Sequence, residues 1–502
     1  MGIEGRDLFL ISPELSLLAL AVIVVGIDLV VKNKGLVLLF TLIGLFVPLV
    51  AGINVWNDVH ASGAEIAFNG ALVVDKFALY FKFLILGILG LLFLSAWGYS
   101  DRFRPYQAEF YGLMLFSSTG LMLLPAAGDL ITLYVSLELA SLPVIALAAF
   151  TKFRTKSTEA GLKYLVLSAV SSAILLYGFA FLYGATGTLR LVSDNPLDPA
   201  IGHILTVADS NAAFGGVAVL VGAVLTTVGF GFKLSMVPFQ MWTPDVYEGA
   251  PTPVAAFLAV ASKAAAFGIV LRLFYVALEP ASADWSLMFA GLAAVSMTVG
   301  NVVAIAQTNV KRLLGYSTIA QAGYLLVGVA AVADRSSTVA DSALGIESVL
   351  FYLGGYAAMN LAAFFVVIAI TERTGDETLD GLAGMGRRSP LLAGILSFAL
   401  ISLMGIPPTV GFMGKLFIFN AAVNADLVWL VIIAVVNSVV SAYYYMNIIR
   451  IMYLKQAEDG SSISVPMPSW AALAVVTAAV AVLGLWPGGL LELARTAAQG
   501  LL

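Results

Sequence analysis

Apolar runs long enough to cross a bilayer recur from one end of this chain to the other, FALYFKFLILGILGLLFLSAWG being one of them. A bilayer core takes about 20 residues of helix. Lipid offers no partner to an unpaired backbone amide, so such a chain folds either as helices or as a closed barrel. Barrel strands read as short alternating segments, and these runs are continuous, which predicts an all-α polytopic membrane protein. Composition agrees: 61% of residues are hydrophobic and 11% charged, against about 25% charged in a soluble domain. Windows of about 20 residues give about 14 transmembrane helices. Their centres fall near Ala21, Phe46, Gly87, Gly120, Glu138, Ile174, Thr227, Ala264, Val295, Leu325, Met359, Met404, Val440 and Ala479. MGIEGRDLFL lacks a basic leader, so the first run is expected to stay as the first helix.

Loop charge sets the expected orientation. Lys32 and Lys34, Arg102 and Arg104, Lys152, Arg154 and Lys156, Lys311 and Arg312, Arg373, Arg387 and Arg388, and Arg450 and Lys455 follow odd-numbered spans. The positive-inside rule places them on the inner side and both termini outside. The segment from Pro238 to Pro253 is the exception, carrying Asp245 and Glu248 without a cation.

Several function classes are excluded. The chain has no cysteine, which removes disulfides, cysteine-ligated iron-sulfur clusters and zinc ribbons. His60 and His203, in loop-like sequence, argue against haem ligation. Gly414-Lys415 is followed by Leu416 without the upstream glycine, so there is no phosphate-binding loop. No dinucleotide fingerprint and no basic stripe for nucleic acid occur. No cofactor is expected in this chain, and its surroundings are the lipid bilayer, protons and internal water.

Four ionisable residues lie inside apolar runs: Glu138, Lys233, Lys263 and Lys415. A charge at a helix centre costs roughly 2.5 to 3.5 kcal/mol on insertion scales, which marks such residues as functional candidates. Lys233 precedes Pro238, and Lys415 follows Pro407 and Pro408. These prolines break their helices, because proline lacks a donor and crowds the preceding turn. Freed backbone at membrane depth is tolerated where it lines a polar cavity. The breaks lie about 170 residues apart, which suits two inverted five-helix repeats, each with one discontinuous helix. The expected divisions are 1–105 for three N-terminal helices, 106–280 and 281–456 for the two repeats, and 457–502 for a last helix.

The stretches LYVSLELASLPVIALAAF, EAGLKYLVLSAVSSAILLYG, FKLSMVPFQMWTPDVYEGAPTPVAAFLAVASKAAAFGIVLR, GNVVAIAQTNVKRLLGYSTIAQAGYLLVG and GIPPTVGFMGKLFIF carry a family resemblance. In this order the chain resembles subunit N of proton-pumping NADH-quinone oxidoreductase, respiratory complex I, and its photosynthetic counterparts. That group resembles Mrp-type cation/proton antiporter subunits in turn. The resemblance implies that Glu138, Lys233, Lys263 and Lys415 form a hydrated mid-membrane proton relay coupled to quinone reduction in other subunits. Further relay candidates are Lys163, Lys311, Gln321 and Tyr324; many relatives carry histidine where Gln321 stands. NADH or ferredoxin, flavin, iron-sulfur clusters and quinone are expected in partner subunits, with K-type and M-type neighbours, in an energy-transducing membrane such as the bacterial plasma membrane or the thylakoid. The alternative is a subunit of an Mrp-type Na+/H+ or K+/H+ antiporter.

The residues support proton handling on their own. A buried ammonium loses the hydration of its charge, and a carboxylate within about 4 to 6 Å restores part of that stability. Glu138 moving against Lys233 would therefore act as a switch. Plainer readings stand beside it: a static Glu138–Lys263 ion pair, Lys233 or Lys415 snorkelling from shortened helix ends, Lys163 paired with Glu159 at i−4, and Lys311 with Arg312 as orientation charges.

Overall fold

In a computed structural model, residues 5–29, 34–103, 106–193, 199–208, 213–332, 339–457 and 463–502 are described. Lys32 and Arg104 lie outside them. Besides the shorter Gly5–Leu10, Lys34–Gly44 and Ile201–Ala208, the helices up to the first break are α1 (Ser12–Asp28), α2 (Phe46–Ser62), α3 (Lys76–Ser95), α4 (Gln107–Leu123), α5 (Leu130–Ala148), α6 (Thr155–Thr186) and α7 (Ala213–Leu234). There follow the short α8 (Trp242–Gly249) and α9 (Thr252–Ala277), which holds two π-helical turns, at Leu258–Ser262 and Leu273–Ala277. The remainder are α10 (Ser282–Ala304), α11 (Val310–Ala330), α12 (Val339–Thr374), α13 (Pro390–Met404), α14 (Val410–Asn424), α15 (Val428–Leu454), α16 (Met467–Leu485) and α17 (Gly488–Gln499).

Every expected span centre falls in one of these helices. Among the described residues eleven spans are long and apolar enough to cross a membrane, or twelve with the bent pair that ends in α13. The helices around Ala21 and Gly120 are 17 residues long. One element departs from the all-α expectation: β1 (Glu65–Ala67) pairs antiparallel with β2 (Leu72–Val74) around a Phe68–Gly70 turn. The Asn69-Gly70 dipeptide is the signal for it, because both residues take positive φ (55° and 87°).

Burial divides the helices by role. In α9, α11 and α12, 94% of the central residues are buried, against 33% in α15 and α16. The first three form the protein-sheathed middle, where polar groups avoid lipid. The inner-side loops that the orientation rule groups together also meet in space. Arg154 reaches Glu377 at 3.8 Å, and Arg312 reaches Glu248 at 3.2 Å. The exceptional acidic segment is explained the same way: Asp245 is held by Lys163 and Arg312, and Glu248 by Lys156 and Arg312, so its cations come from neighbouring helices.

Two pairs of local devices recur. Asp129 caps α5 by accepting from the Thr132 amide, and its flanking backbone pairs with Leu189 and Leu191. Asn309 caps α11 by accepting from the Arg312 amide, and its flanking backbone pairs with Glu377 and Leu379. The second pair is the two helix breaks. Helix α7 ends at Leu234, Ser235 takes φ +58°, and Pro238 follows; α13 ends at Met404, Gly405 takes φ +87°, and Pro408 follows. Both prolines are cis.

Candidate functional site

A break leaves the last carbonyls of its first half-helix without the amides that would have followed, and such a C-terminus carries partial negative charge. Each break attracts a lysine. Lys263, 1% exposed on α9, donates to the Leu234 carbonyl at 2.8 Å. Lys415, 4% exposed on α14, donates to Met404 at 2.9 Å, Leu403 at 3.3 Å and the Ser438 hydroxyl at 2.7 Å. These three acceptors match the three ammonium hydrogens. The Tyr324 ring lies 4.3 Å from the same ammonium, a cation–π contact. Among the described residues, neither lysine has a carboxylate within ion-pair distance.

Lys233, at the end of α7, is held differently. Its ammonium donates to Ser141 on α5 at 2.6 Å and Ser168 on α6 at 3.1 Å, beside the Tyr164 ring. Glu138 is half-buried one turn away on α5 and accepts from Ser172, one turn along α6, at 2.5 Å. Carboxylate and ammonium thus occupy successive turns of the same helix pair, each held by serines. The direct Glu138–Lys233 contact and the static Glu138–Lys263 pair are both absent. A cavity of about 20 Å³ borders Lys233, Ser117, Ser141 and Tyr164, room for roughly one water molecule.

Buried polar groups on α11 and α12 form several short links. Gln321 on α11 donates to the Leu403 carbonyl at 3.0 Å and accepts from the Tyr352 hydroxyl. Tyr356 donates to Thr318 at 3.2 Å, and Asn360 donates to Tyr356 at 3.0 Å. Ser317 and Tyr445 are 2.5 Å apart. The hydroxyls of Tyr247 and Tyr324 and Oδ1 of Asn360 are buried without a protein partner. A buried polar atom of this kind calls for water.

Two other candidates are held by carboxylates. Lys163 sits in a surface cluster, 2.6 Å from both Glu159 and Asp245, on a polar pocket of about 120 Å³. Burial alone would raise the Asp245 carboxyl, but hydrogen bonds from Lys163 and Arg312 outweigh it and hold it below the usual carboxylate range. Glu248 is lowered in the same way, by Lys156 and Arg312 against its burial. Lys311 is 1% exposed and paired with Glu377 at 2.9 Å.

Two buried ion pairs escaped sequence reasoning. Arg272 binds both Asp75 oxygens, at 2.8 and 3.0 Å, and the Pro125 carbonyl at 2.7 Å. Lys82 lies 2.8 Å from Glu14. Their signal was present, since VLRLF and YFKFL place a cation in an apolar run.

Comparison with known proteins places the chain in a family. Residues 127–441 match the family described as NADH:quinone oxidoreductase/Mrp antiporter, TM. The NADH-quinone oxidoreductase subunit N of Dehalococcoides mccartyi is 41% identical, over 98% of this chain and 99% of its own. The chain belongs to the NADH-quinone oxidoreductase subunit N family. The F(420)H(2) dehydrogenase subunit N of Methanosarcina mazei is 36% identical, over 98% of this chain and 99% of its own. Among solved structures, a chain of respiratory complex I from Thermus thermophilus with bound aureothin superposes with TM-score 0.77 at 32% identity, covering 96% of this chain and 98% of that one. A chain of the Mrp complex from Dietzia sp. DQ12-45-1b gives 0.82 at 21% identity, covering 99% and 97%, so subunit N and Mrp chains share the fold.

Proposed function

We propose that this chain is the non-redox, proton-translocating membrane subunit of an NADH-quinone oxidoreductase. Protons move along Glu138, Lys233, Lys263 and Lys415, with Lys311, Gln321, Tyr324 and internal water connecting them. One observation carries the reading: three buried lysines are bound by hydroxyls and carbonyls instead of carboxylates. A permanently charged ammonium with no counter-ion is costly to bury, whereas one that alternates between charged and neutral forms suits such neutral acceptors. Lys163 belongs to the surface cluster and has no step in this path. Quinone, flavin and iron-sulfur chemistry reside in partner subunits, K-type and M-type membrane neighbours among them. The setting is a bacterial plasma membrane with both termini outside.

The decisive variant is Lys233→Ala in the assembled complex. Pumping and coupled quinone reduction are expected to fall by about tenfold or more, with assembly retained on native gels. Wild-type pumping rate and proton-to-electron ratio would remove Lys233 from the path.

A further inference from the structure

Glu377 stands where the interior meets the inner surface. Its carboxylate lies between the Arg154 guanidinium at 3.8 Å and the Lys311 ammonium at 2.9 Å. These side chains are 54%, 12% and 1% exposed in that order, a gradient from solvent to core through three contacting groups. The Glu377 carbonyl accepts from the Val310 amide at 2.8 Å, which fixes the loop to the start of α11. Beyond Lys311 the polar line continues. The Tyr247 ring lies against Gly315, one turn further along α11, and its hydroxyl is one of the buried unpartnered groups. Thr318 follows on the same face, bonded to Tyr356 and through it to Asn360.

We infer that Glu377 is the proton-collecting residue of the second half of the path, passing protons from the inner aqueous side to Lys311 and on toward Gln321 and Lys415. In the step, the Glu377 carboxylate takes a proton from the inner solution. The resulting carboxylic acid gives that proton to neutral Lys311, regenerating the carboxylate and leaving an ammonium. The Ala250 carbonyl, 2.9 Å from the Lys311 nitrogen, holds the ammonium toward α8 and Tyr247. The charged groups around this point are Arg154, Lys156, Glu248, Arg312 and Lys311 from neighbouring elements, and Asp376 from its own loop. Arg154 and Lys156 make the entrance attractive to a carboxylate that empties repeatedly.

The inference rests on the relay reading and is tested separately from it. Proton pumping by the intact complex in sealed vesicles is measured for Glu377→Gln at about pH 6 and about pH 8.5, where free protons differ several hundredfold. Loss of a collecting carboxylate slows delivery most where protons are scarce, so pumping is expected to fall by about threefold or more at the alkaline value and to stay near wild type at the acid value. Equal pumping at both values, or an equal fractional loss at both, overturns the assignment, the second because a purely structural ion pair gives it. Should Glu377→Gln fail to assemble, Glu377→Asp decides: it keeps the charge but withdraws it by one methylene. Slowed pumping at alkaline pH alone then supports the assignment, and wild-type behaviour at both values overturns it. A normal Glu377→Gln profile alongside a defective Lys233→Ala variant sinks the entrance only; two normal variants sink the relay as well.

Discussion

At the first break Lys263, from the following span, binds the Leu234 carbonyl, while Lys233, one residue before it, turns to serines of α5 and α6 beside a cavity of about 20 Å³. At the second, Lys415 stands alone, and the Leu403 carbonyl, one residue before the break, is filled by the Gln321 carboxamide. A cavity of about 340 Å³ lined by Ile406, Leu416 and Val439, all exposed, opens beside Lys415. The backbone device is shared, a reversed residue before a proline, while the number of groups able to hold a proton differs. On the proposed reading, one fold then carries two stations of unequal capacity, the first enclosed and the second near the periphery.

The strongest test of that inequality compares Lys263→Ala with Lys415→Ala. Each is expected to lower pumping by about tenfold or more, because each removes the ammonium from a freed helix end. Normal pumping by Lys415→Ala alone would leave the second break a structural bend. Around the first break, Glu138→Gln should resemble Lys233→Ala, and the double variant should be little worse than either, since groups that act as a unit are not additive; additive losses would separate them.

Gln321→His would bring the second break closer to the first by adding a titratable group. Above about pH 6.5 the introduced imidazole is neutral and pumping should stay within about twofold of wild type. Below it, a second positive charge faces Lys415 and pumping should fall. A flat profile would show that Gln321 is remote from the transfer.

Smaller effects probe the backbone. Gly405→Ala puts a Cβ at φ +87°, 2.9 Å from the Lys415 side chain. It should destabilise the protein by about 1 to 2 kcal/mol in thermal unfolding. Ser235→Gly relieves a positive φ but loses the 2.6 Å bond from Thr243, a net change expected below about 1 kcal/mol. Equal effects would contradict the close packing of Lys415 at the second break.

Asp245→Asn should matter least, about 1 kcal/mol or less for so exposed a cluster. Because the Asp245 carboxyl is lowered, its contribution is complete above about pH 4 and is lost as the pH falls through the lowered value. A wild-type protein that loosens well above that range would show that α8 is held otherwise.

The spans, the breaks and the three buried lysines were legible because each violates the pattern around it: a lysine in an apolar run, or prolines where a helix should continue. Tyr352, Tyr356, Asn360 and Ser317 were not, since a tyrosine or serine in a membrane helix is unremarkable until packing aims its hydroxyl. Lys163 was legible in part: Glu159 at i−4 shows in the sequence, whereas the contact with Asp245 on a distant segment does not. Arg272, Lys82 and their partners Asp75 and Glu14 were missed because nothing local shows which carboxylate, as much as 197 residues away, will neutralise which cation.

That separation has a bearing on how the chain is made. Asp75 leaves the ribosome long before Arg272, and an arginine on a membrane-spanning helix is disfavoured until it is neutralised. With the early hairpin and α3 already in place, α9 finds a carboxylate waiting for it. The N-terminal helices are thus expected to serve as a template on which the span carrying Lys263 docks, and a truncated N-terminus is expected to slow membrane integration at α9.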